Sequence, residues 1–347
     1  MTTPYASEAF IHQLLGKALA AGASDVHLKV GQPPGARVRG DMVYFRVEKI
    51  GPEDTDAVAR VLLGSAGAGR LDELHELVTA YQAPGLGRFR VSVYRQRGAL
   101  ALVMRSIALK IPTFAELGVP AAATALAEQP RGLVILAGGT GEGKSSTAAA
   151  MIGHLNESYP KHVITLEEPI EFLHEDHRAS ISQREIGADT ASLAVGLRAA
   201  LRQDPDVIFA AELADADAFA AALDAAELGH LVIACVPALD TARALSRLFA
   251  LGHAVPELAP RLAAALQGVL AQRLLPRRDG SGVVLSCEVL IATAAVREAL
   301  RAATDTAPAA ALRELMEQGA TPYGMQTFEM ADKHLVAQGL VSRSLLP

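Results

Sequence analysis

The sequence predicts a two-domain α/β protein, in which a small α+β domain is followed by a larger domain built on a parallel sheet. Three observations lead to this prediction. The chain has 347 residues, which is the length of two ordinary domains. Helix-like and strand-like stretches are mixed before residue 110. After Pro130, short apolar runs alternate with Ala-rich helical sequence, a pattern typical of parallel strands buried on both faces.

The first domain is predicted to cover residues 1–110. Apolar residues recur at helical spacing from Phe10 to Leu19, and Gly22 follows as a stop signal. Alternation of apolar and polar residues predicts a hairpin and a second pair of strands. The predicted helices are 7–21, 53–63 and 70–77, and the predicted strands are 25–30, 36–41, 88–95 and 100–107.

A linker at residues 111–120 contains Pro112 and Pro120, and the second domain is predicted to cover residues 121–347. Four short apolar runs in this domain predict strands of one parallel sheet. These runs are 132–137, 162–166, 206–210 and 230–234.

Composition excludes several classes of protein. The chain has 32 Lys+Arg against 38 Asp+Glu, a net charge of −6, so it lacks the excess of basic residues with which nucleic-acid-coating proteins neutralise phosphates. Cys235 and Cys287 lie far apart and form neither a zinc motif nor a disulfide framework, which favours the cytosol. No run of about 18 apolar residues predicts a membrane span.

A phosphate-binding loop follows the first apolar run of the second domain. Residues 138–145 read GGTGEGKS and fit the motif G-x-x-x-x-G-K-[ST], with helical sequence after them. In such loops the glycines allow backbone N–H groups to wrap phosphates, the lysine brings charge to the outer phosphates, and the hydroxyl binds Mg²⁺. The alternative is a glycine turn that happens to precede a helix. The motif predicts ATP and Mg²⁺ as ligands, with Ser145 as the metal ligand, and the predicted nucleotide-binding residues are Gly138, Gly139, Thr140, Gly141, Glu142, Gly143, Lys144, Ser145 and Ser146.

Acidic residues follow two other apolar runs. Glu212 comes shortly after the run 206–210, and Glu167 and Glu168 directly follow the run 162–166. From the end of a strand, a carboxylate can reach a metal ion or orient the attacking water. The alternative is that these acids start loops or cap helices. His230, directly before a strand, is predicted to sense the γ-phosphate, although a single histidine in that position is more often structural.

These features, taken with several further segments, resemble the secretion-type ATPases, and among them the type IV pilus retraction (twitching-motility) ATPases. The resemblance covers nearly the whole chain. The segments that carry it are an N-terminal opening (23–28, 31–34 and 37–41), an acidic box (165–171), the stretch 182–208, a histidine box (227–231) and C-terminal segments (295–301, 324–328 and 339–341).

The resemblance implies a RecA-like P-loop ATPase domain, a PAS-like N-terminal domain and a hexameric motor that converts ATP hydrolysis into pilus retraction. It also implies that Glu167 and Glu212 are catalytic and that Arg97 and Arg105 are offered across a subunit boundary; both arginines also fit solvated strand residues. The implied location is the cytoplasmic face of the inner membrane. The implied partners are a pilus platform protein and a paralogous motor ATPase.

The sequence departs from the family pattern at four positions. Glu168 replaces an Asp, Ala211 replaces a Gly, Ala214 replaces an Arg, and Pro237 replaces a second histidine. These departures motivate a second hypothesis, a weakly hydrolysing paralogue that acts as an accessory subunit of a pilus motor. A third hypothesis is an ATPase of a related type II or type IV secretion system. The lack of a Cys₄ zinc element favours retraction over pilus assembly.

Overall fold

The computed structural model describes residues 3–38, 40–68, 71, 75–107, 110–304 and 306–346. The chain divides into two compact units, Met1–Lys110 and Ile111–Pro347. The linker predicted at residues 111–120 belongs to the second unit and contains a short helix. In the part of the chain that is described, no helix combines the length and the apolar character needed to cross a membrane.

The first unit is an α+β structure around a six-stranded antiparallel sheet with the order β3-β2-β1-β6-β5-β4. Its strands are β1 (Ala23–Lys29), β2 (Gly35–Val38), β3 (Asp41–Tyr44), β4 (Glu76–Ala83), β5 (Gly87–Gln96) and β6 (Ala99–Ser106), and its helices are α1 (Glu8–Ala20) and α2 (Pro52–Ala68), the latter interrupted at Gly64.

Alternation and helical spacing place the core of this unit as the sequence predicts. In β5, Phe89, Val91 and Val93 are buried while the residues between them face away from the core. In α1, Ile11 and Leu15 are buried at a spacing of one helical turn. The helix predicted at 70–77 is wrong at its end, because β4 already begins at Glu76; residues 70 and 72–74 lie outside the described part of the chain.

The second unit is built on a seven-stranded sheet with the order β13-β12-β7-β11-β10-β8-β9. All neighbouring strands are parallel except β12 and β13, which pair antiparallel at one edge. The strands are β7 (Gly132–Ala137), β8 (His162–Glu167), β9 (Ser180–Glu185), β10 (Val207–Ala210), β11 (Leu231–Val236), β12 (Leu266–Pro276) and β13 (Val283–Ile291).

Eleven further α-helices are described in this unit, and several of them cover the sheet. They are α3 (Phe114–Leu117), α4 (Ala122–Ala127), α5 (Lys144–Ser158), α6 (Leu193–Ala200), α7 (Ala216–Glu227), α8 (Thr241–Leu251), α9 (Leu258–Ala265), α10 (Ala294–Arg301), α11 (Ala309–Gln318), α12 (Ala320–Tyr323) and α13 (Phe328–Ala337).

The four apolar runs predicted as parallel strands are confirmed as β7, β8, β10 and β11, and every residue of β7, β10 and β11 is buried. The Ala-rich sequence between them has a structural use. Helix α7 buries five alanines beside Phe219 and Leu223, so a helix of small side chains packs closely on the sheet. The predicted fold class, a RecA-like ATPase domain with a smaller N-terminal α+β domain, is confirmed.

Candidate functional site

The phosphate-binding loop lies between the end of β7 and the start of α5, at the carboxyl edge of the sheet. Gly141 and Gly143 have φ values of +82° and +83°, which L residues with side chains rarely adopt. Thr140 and Gly141 are exposed at the tip of the loop, while Ser145 and Ser146 lie half-buried in the first turn of α5. The unpaired N–H groups and the positive end of α5 make this loop suited to an anion.

Strand β12 supports the loop from its other side. The side-chain amide of Gln272 donates a hydrogen bond to the Glu142 carbonyl at 2.8 Å, and the Leu274 N–H donates to the Glu142 carboxylate. A Cβ at Gly138 would lie 2.8 Å from the Gln272 carbonyl oxygen, so Gly138 permits the close approach of loop and strand. Contacts with β12 therefore hold the phosphate loop in place.

Lys144 lies folded over this loop. Its Nζ donates hydrogen bonds to the carbonyl oxygens of Gly138 and Gly139, at 2.8 and 2.9 Å. Its ammonium group is thus held beside the N–H groups that would surround a phosphate. Loop and lysine together form a concentrated positive field.

The two predicted catalytic acids lie at the carboxyl ends of the parallel strands, as the phosphate loop does. Glu167 is the last residue of β8, and Glu212 comes two residues after β10. Burial raises the pKa of the Cys235 thiol on β11 to about 12, and the charges of Lys144, Glu212, Glu171 and Glu167 also act on this thiol. The fold therefore gathers one lysine and three carboxylates around the end of β11.

Glu167 is buried, and donors hold one of its oxygens. Its Oε1 accepts hydrogen bonds from the Thr165 hydroxyl at 2.7 Å and from the Gln183 side-chain amide at 3.1 Å. Burial raises the pKa of Glu167 above its ordinary value, against these hydrogen bonds, which lower it, and the nearby Glu171 carboxylate raises it further. Glu212 and Glu168 are exposed. The two predicted catalytic acids thus have different environments.

His230 lies at the amino end of strand β11, whereas the phosphate loop lies at the carboxyl ends of the parallel strands. It precedes β11, which spans six residues, Leu231–Val236, or roughly 20 Å of strand. Its ring Nδ1 is 2.8 Å from the Pro205 carbonyl, as expected for a structural histidine. The prediction that His230 senses the γ-phosphate is not supported within one chain, because the phosphate loop follows the carboxyl ends of the strands.

Arg97 and Arg105 lie at opposite ends of β6 in the first unit. Arg97 is exposed in the two-residue turn that joins β5 to β6, where its φ is +52° and that of Gly98 is +83°. Arg105, near the other end, donates from Nε to the buried Asp25 at 2.8 Å. Although burial alone would raise the pKa of Asp25, hydrogen bonds from Ser24 and Arg105 hold it below its usual value. About 20 Å of strand separates the two arginines.

Pro237 occupies a central place in the site. It directly follows β11, which lies between β7, the strand before the phosphate loop, and β10, the strand before Glu212. Ala211 and Ala214 flank Glu212 and Leu213, directly before Asp215, which caps α7 by accepting a hydrogen bond from the Ala218 N–H at 2.8 Å. Three of the four departures, at Ala211, Ala214 and Pro237, therefore follow the two strands between the phosphate loop and Glu167, and the fourth, Glu168, directly follows Glu167.

Sequence reasoning missed three side chains that support the site. Gln272 had no motif to mark it. Thr165 stands two residues before Glu167, and this spacing places both on one face of a strand. Gln183 lies opposite Thr165 on β9, a strand that its polar sequence did not reveal.

The parallel sheet, the glycine loop between strand and helix, and the acids on neighbouring strands define a P-loop nucleotide-binding protein. The family model of type II/IV secretion system proteins matches residues 87–320. The type IV pilus retraction ATPase PilT of Pseudomonas aeruginosa is 36% identical over 335 residues, which is 96% of this chain and 96% of PilT.

Two further comparisons agree with this match. The type IV pilus ATPase PilU of the same organism is 36% identical over 95% of this chain and 86% of PilU. A crystal structure of the pilus retraction motor PilT with bound ADP matches with a TM-score of 0.87 at 35% identity, and the match covers 96% of this chain and 95% of that one. This chain belongs to the type II/type IV secretion system family, and its resemblance to the pilus retraction ATPases is confirmed.

Proposed function

We propose that this protein is a motor ATPase that binds ATP and couples its hydrolysis to retraction of a type IV pilus, the basis of twitching motility. The observation that carries the proposal is that the phosphate loop with Lys144, Glu167 and Glu212 all lie at the carboxyl ends of the parallel strands, within one run of four neighbouring strands. This arrangement provides the charges that phosphoryl transfer needs. The similarity to PilT supports pilus retraction as the work performed.

The loop residues Gly138 to Ser146 bind the phosphates in this proposal, through backbone N–H groups and the Lys144 ammonium. To reach a phosphate, Lys144 exchanges its two carbonyl partners for phosphate oxygens, which keeps its charge satisfied in both states. Adenine and ribose bind outside the loop, so the loop recognises the phosphates and not the base.

Oxygen donors suited to Mg²⁺ are present at this edge. The Ser145 hydroxyl lies in the first turn of α5, and the Glu212 carboxylate follows β10; hydroxyl and carboxylate oxygens are what Mg²⁺ prefers. Ser145 would hold the ion beside the phosphates. Bound there, Mg²⁺ supplies positive charge that stabilises the transferring phosphoryl group.

We assign different roles to the two acids. Glu167, buried and fixed by donors, accepts a hydrogen bond from the attacking water and orients it. Glu212, exposed after β10, contributes negative charge where the metal ion or water is held. His230 takes no part in the site of its own chain, because it lies at the far edge of the sheet.

The assembly we propose is a hexameric ring in which a neighbour's N-terminal unit offers arginines to the nucleotide. Arg97 is the stronger candidate because it is exposed in a tight turn, whereas Arg105 is bonded to Asp25. With about 20 Å of strand between them, the two arginines do not converge on one phosphate. The ring works at the cytoplasmic face of the inner membrane on a pilus platform protein, with a paralogous motor ATPase as a further partner.

Pro237 favours a second candidate function, an accessory subunit that binds nucleotide but hydrolyses it slowly. Proline offers neither a side-chain donor nor an N–H group, and this one follows the strand between the phosphate loop and Glu212. A donor expected there by family resemblance is absent from the centre of the site.

Steady-state ATPase activity of the purified chain, with Mg²⁺, distinguishes the two candidates. The chain is assayed alone and in a mixture with a paralogous motor ATPase from the same organism. Lys144→Ala serves as the inactive control. If the chain alone hydrolyses ATP and Lys144→Ala abolishes that turnover, the result supports the motor. Nucleotide binding with turnover only in the mixture supports the accessory subunit, and absence of nucleotide binding would overturn both.

A further inference from the structure

Buried Thr165 and Glu167 on β8 and half-buried Gln183 on β9 form a small cluster of polar side chains. Thr165 and Glu167 are two residues apart on β8, so both side chains lie on the same face of the sheet. Gln183 on β9 is the register partner of Thr165. Thr165 is fully buried and Glu167 is 7% exposed.

The two donors meet at one oxygen of the glutamate. The Thr165 hydroxyl and the Gln183 amide both donate to Oε1, at 2.7 and 3.1 Å. Gln183 is itself fixed, because its amide also donates to the Phe172 carbonyl at 2.8 Å and its side-chain oxygen accepts from the His174 N–H at 2.9 Å. The Glu167 Oε2 atom receives a longer contact of 3.4 Å, from the Glu171 N–H.

We propose that Thr165 and Gln183 are positioning residues that keep Glu167 ionised and turn its Oε2 atom toward the attacking water. This inference rests on the catalytic role proposed above for Glu167. Two donors on a single oxygen fix the rotation of the carboxylate and stabilise its charged form. Without them, a carboxyl group buried at this depth takes up a proton more readily, and a protonated Glu167 is a poor acceptor for the proton of water.

Other charged groups around Glu167 set the background for its titration. Glu171 follows on its own chain segment and favours the protonated form of Glu167. Glu185 is its register partner on β9, and Lys144 and Glu212 act on the same neighbouring thiol, Cys235. A change confined to Thr165 leaves these charges in place, so its effect isolates the donor.

The central experiment is the pH profile of ATP turnover in Thr165→Val, which keeps the side-chain volume but removes the hydroxyl. A hydrogen bond to a charged group corresponds to about tenfold or more in an equilibrium constant. We therefore expect the acidic limb of the profile to move up by about one pH unit, so that turnover at a fixed pH low on that limb falls about tenfold. Thr165→Ser retains a hydroxyl and is the matched control, with a limb close to that of the wild type.

Gln183→Leu should move the acidic limb in the same direction, and affinity for a fluorescent ATP analogue should stay within about twofold of wild type in both variants, because neither residue belongs to the phosphate loop. An unmoved limb in Thr165→Val would overturn the proposal, as would a Ser variant that behaves like the Val variant. A loss of turnover that is equal at every pH would also overturn it, because that result indicates a structural role.

A wild type without ATP turnover would remove the proposed function while leaving the cluster testable. Infrared titration then follows the protonated-carboxyl band of Glu167, identified as the difference between wild type and Glu167→Gln. The band should persist to higher pH in Thr165→Val than in wild type and Thr165→Ser. Identical titrations in all three proteins would overturn the inference independently of hydrolysis.

Discussion

Lys144 is the residue on which nucleotide binding depends most directly. We expect Lys144→Ala to abolish productive ATP binding and to lower any turnover by at least about 100-fold, since the backbone N–H groups alone cannot replace an ammonium charge at the phosphates. Alanine is a good helix former, so α5 should still begin there. Fluorescent nucleotide titration and ATPase assays check this.

The matched control for this change is Lys333→Ala. Lys333 is exposed in α13 and pairs with Glu329, a surface ion pair of small energetic weight. This variant should bind and hydrolyse ATP as the wild type does. Retention of most turnover by Lys144→Ala, with a normal control, would contradict the assignment of the phosphate loop.

Glu167 couples the site to folding stability. Burial raises its pKa in the folded state, so between its unfolded and folded pKa values the folded chain holds a proton that the unfolded chain has lost. Stability therefore falls as pH rises through this window and stays lower above it. Glu167→Gln should raise Tm at pH 8, and its advantage over wild type should shrink as pH falls toward 5.

Thermal unfolding of both proteins between pH 5 and pH 8 tests this linkage. The exposed Glu168→Gln is the control and should show no such pH-dependent gain. A Glu167→Gln variant that is less stable than wild type at pH 8 would indicate that its carboxylate is well compensated by Thr165 and Gln183.

Pro237 and Ala214 test whether the residues at the centre of the site limit turnover. A single donor acting on developing charge contributes about 3 to 4 kcal/mol to transition-state stabilisation, which is about two to three orders of magnitude in rate. We expect slow hydrolysis by the wild type and a rise in turnover, larger than any change in ATP affinity, in Pro237→His,Ala214→Arg. Brisk wild-type turnover that the double change leaves unaltered would remove the support for the accessory subunit.

At the scale of elements, the contact between β12 and the phosphate loop leaves less space for a side chain at Gly138 than at Gly139. A Cβ at position 138 would lie 2.8 Å from the Gln272 carbonyl oxygen, whereas one at position 139 would lie 3.4 Å from the flexible Glu142 side chain. Gly138→Ala must displace strand or loop, so it should weaken nucleotide affinity at least about tenfold. Gly139→Ala should weaken it much less.

Nucleotide titration of both variants, with circular dichroism to confirm folding, decides this point. Equal losses would mean that strand β12 yields easily and does not set the shape of the loop. A greater loss in Gly139→Ala would indicate that the phosphates approach the loop at position 139.

The elements that the sequence predicts best are those buried on both faces. β7, β10 and β11 appear in the sequence as continuous apolar runs because both of their faces lie under helices. β9 lies at the edge of the sheet, and its polar sequence gives no such signal. β12 was missed as well, since its run of buried residues continues directly from the Ala-rich α9.

The parts of the candidate site that could be predicted are those formed by residues close together in the sequence. The phosphate loop needs glycines, a lysine and a hydroxyl in sequence order, so residues 138–145 identify it. Gln272, in contrast, reaches the loop from a strand 130 positions away along the chain, and no local pattern encodes that contact. The predicted role of His230 at the γ-phosphate did not take its position in the sheet into account. A residue directly before a parallel strand lies at the amino ends of the strands, while phosphates bind at the carboxyl ends.

At the scale of the whole molecule, the two units carry different parts of the proposed reaction. The second unit contains the phosphate loop and the acids, and the first unit contains Arg97 and Arg105. Arginines that act across a subunit boundary make each active site the product of two chains. Activity per chain should therefore rise with protein concentration as rings form, and size-exclusion chromatography should show larger assemblies at the concentrations where turnover rises.

Mixing two inactive variants gives the sharpest test of this shared site. An Arg97→Ala,Arg105→Ala variant keeps a functional phosphate loop but offers no arginine, whereas Lys144→Ala offers arginines but holds no nucleotide. In mixed rings, the first variant receives arginines from the second, so turnover should recover to a fraction of the wild-type value. Arg97→Ala alone should lose more activity than Arg105→Ala, because Arg105 is bonded to Asp25. No recovery in rings shown by native mass spectrometry to be mixed would mean that each chain completes its own site.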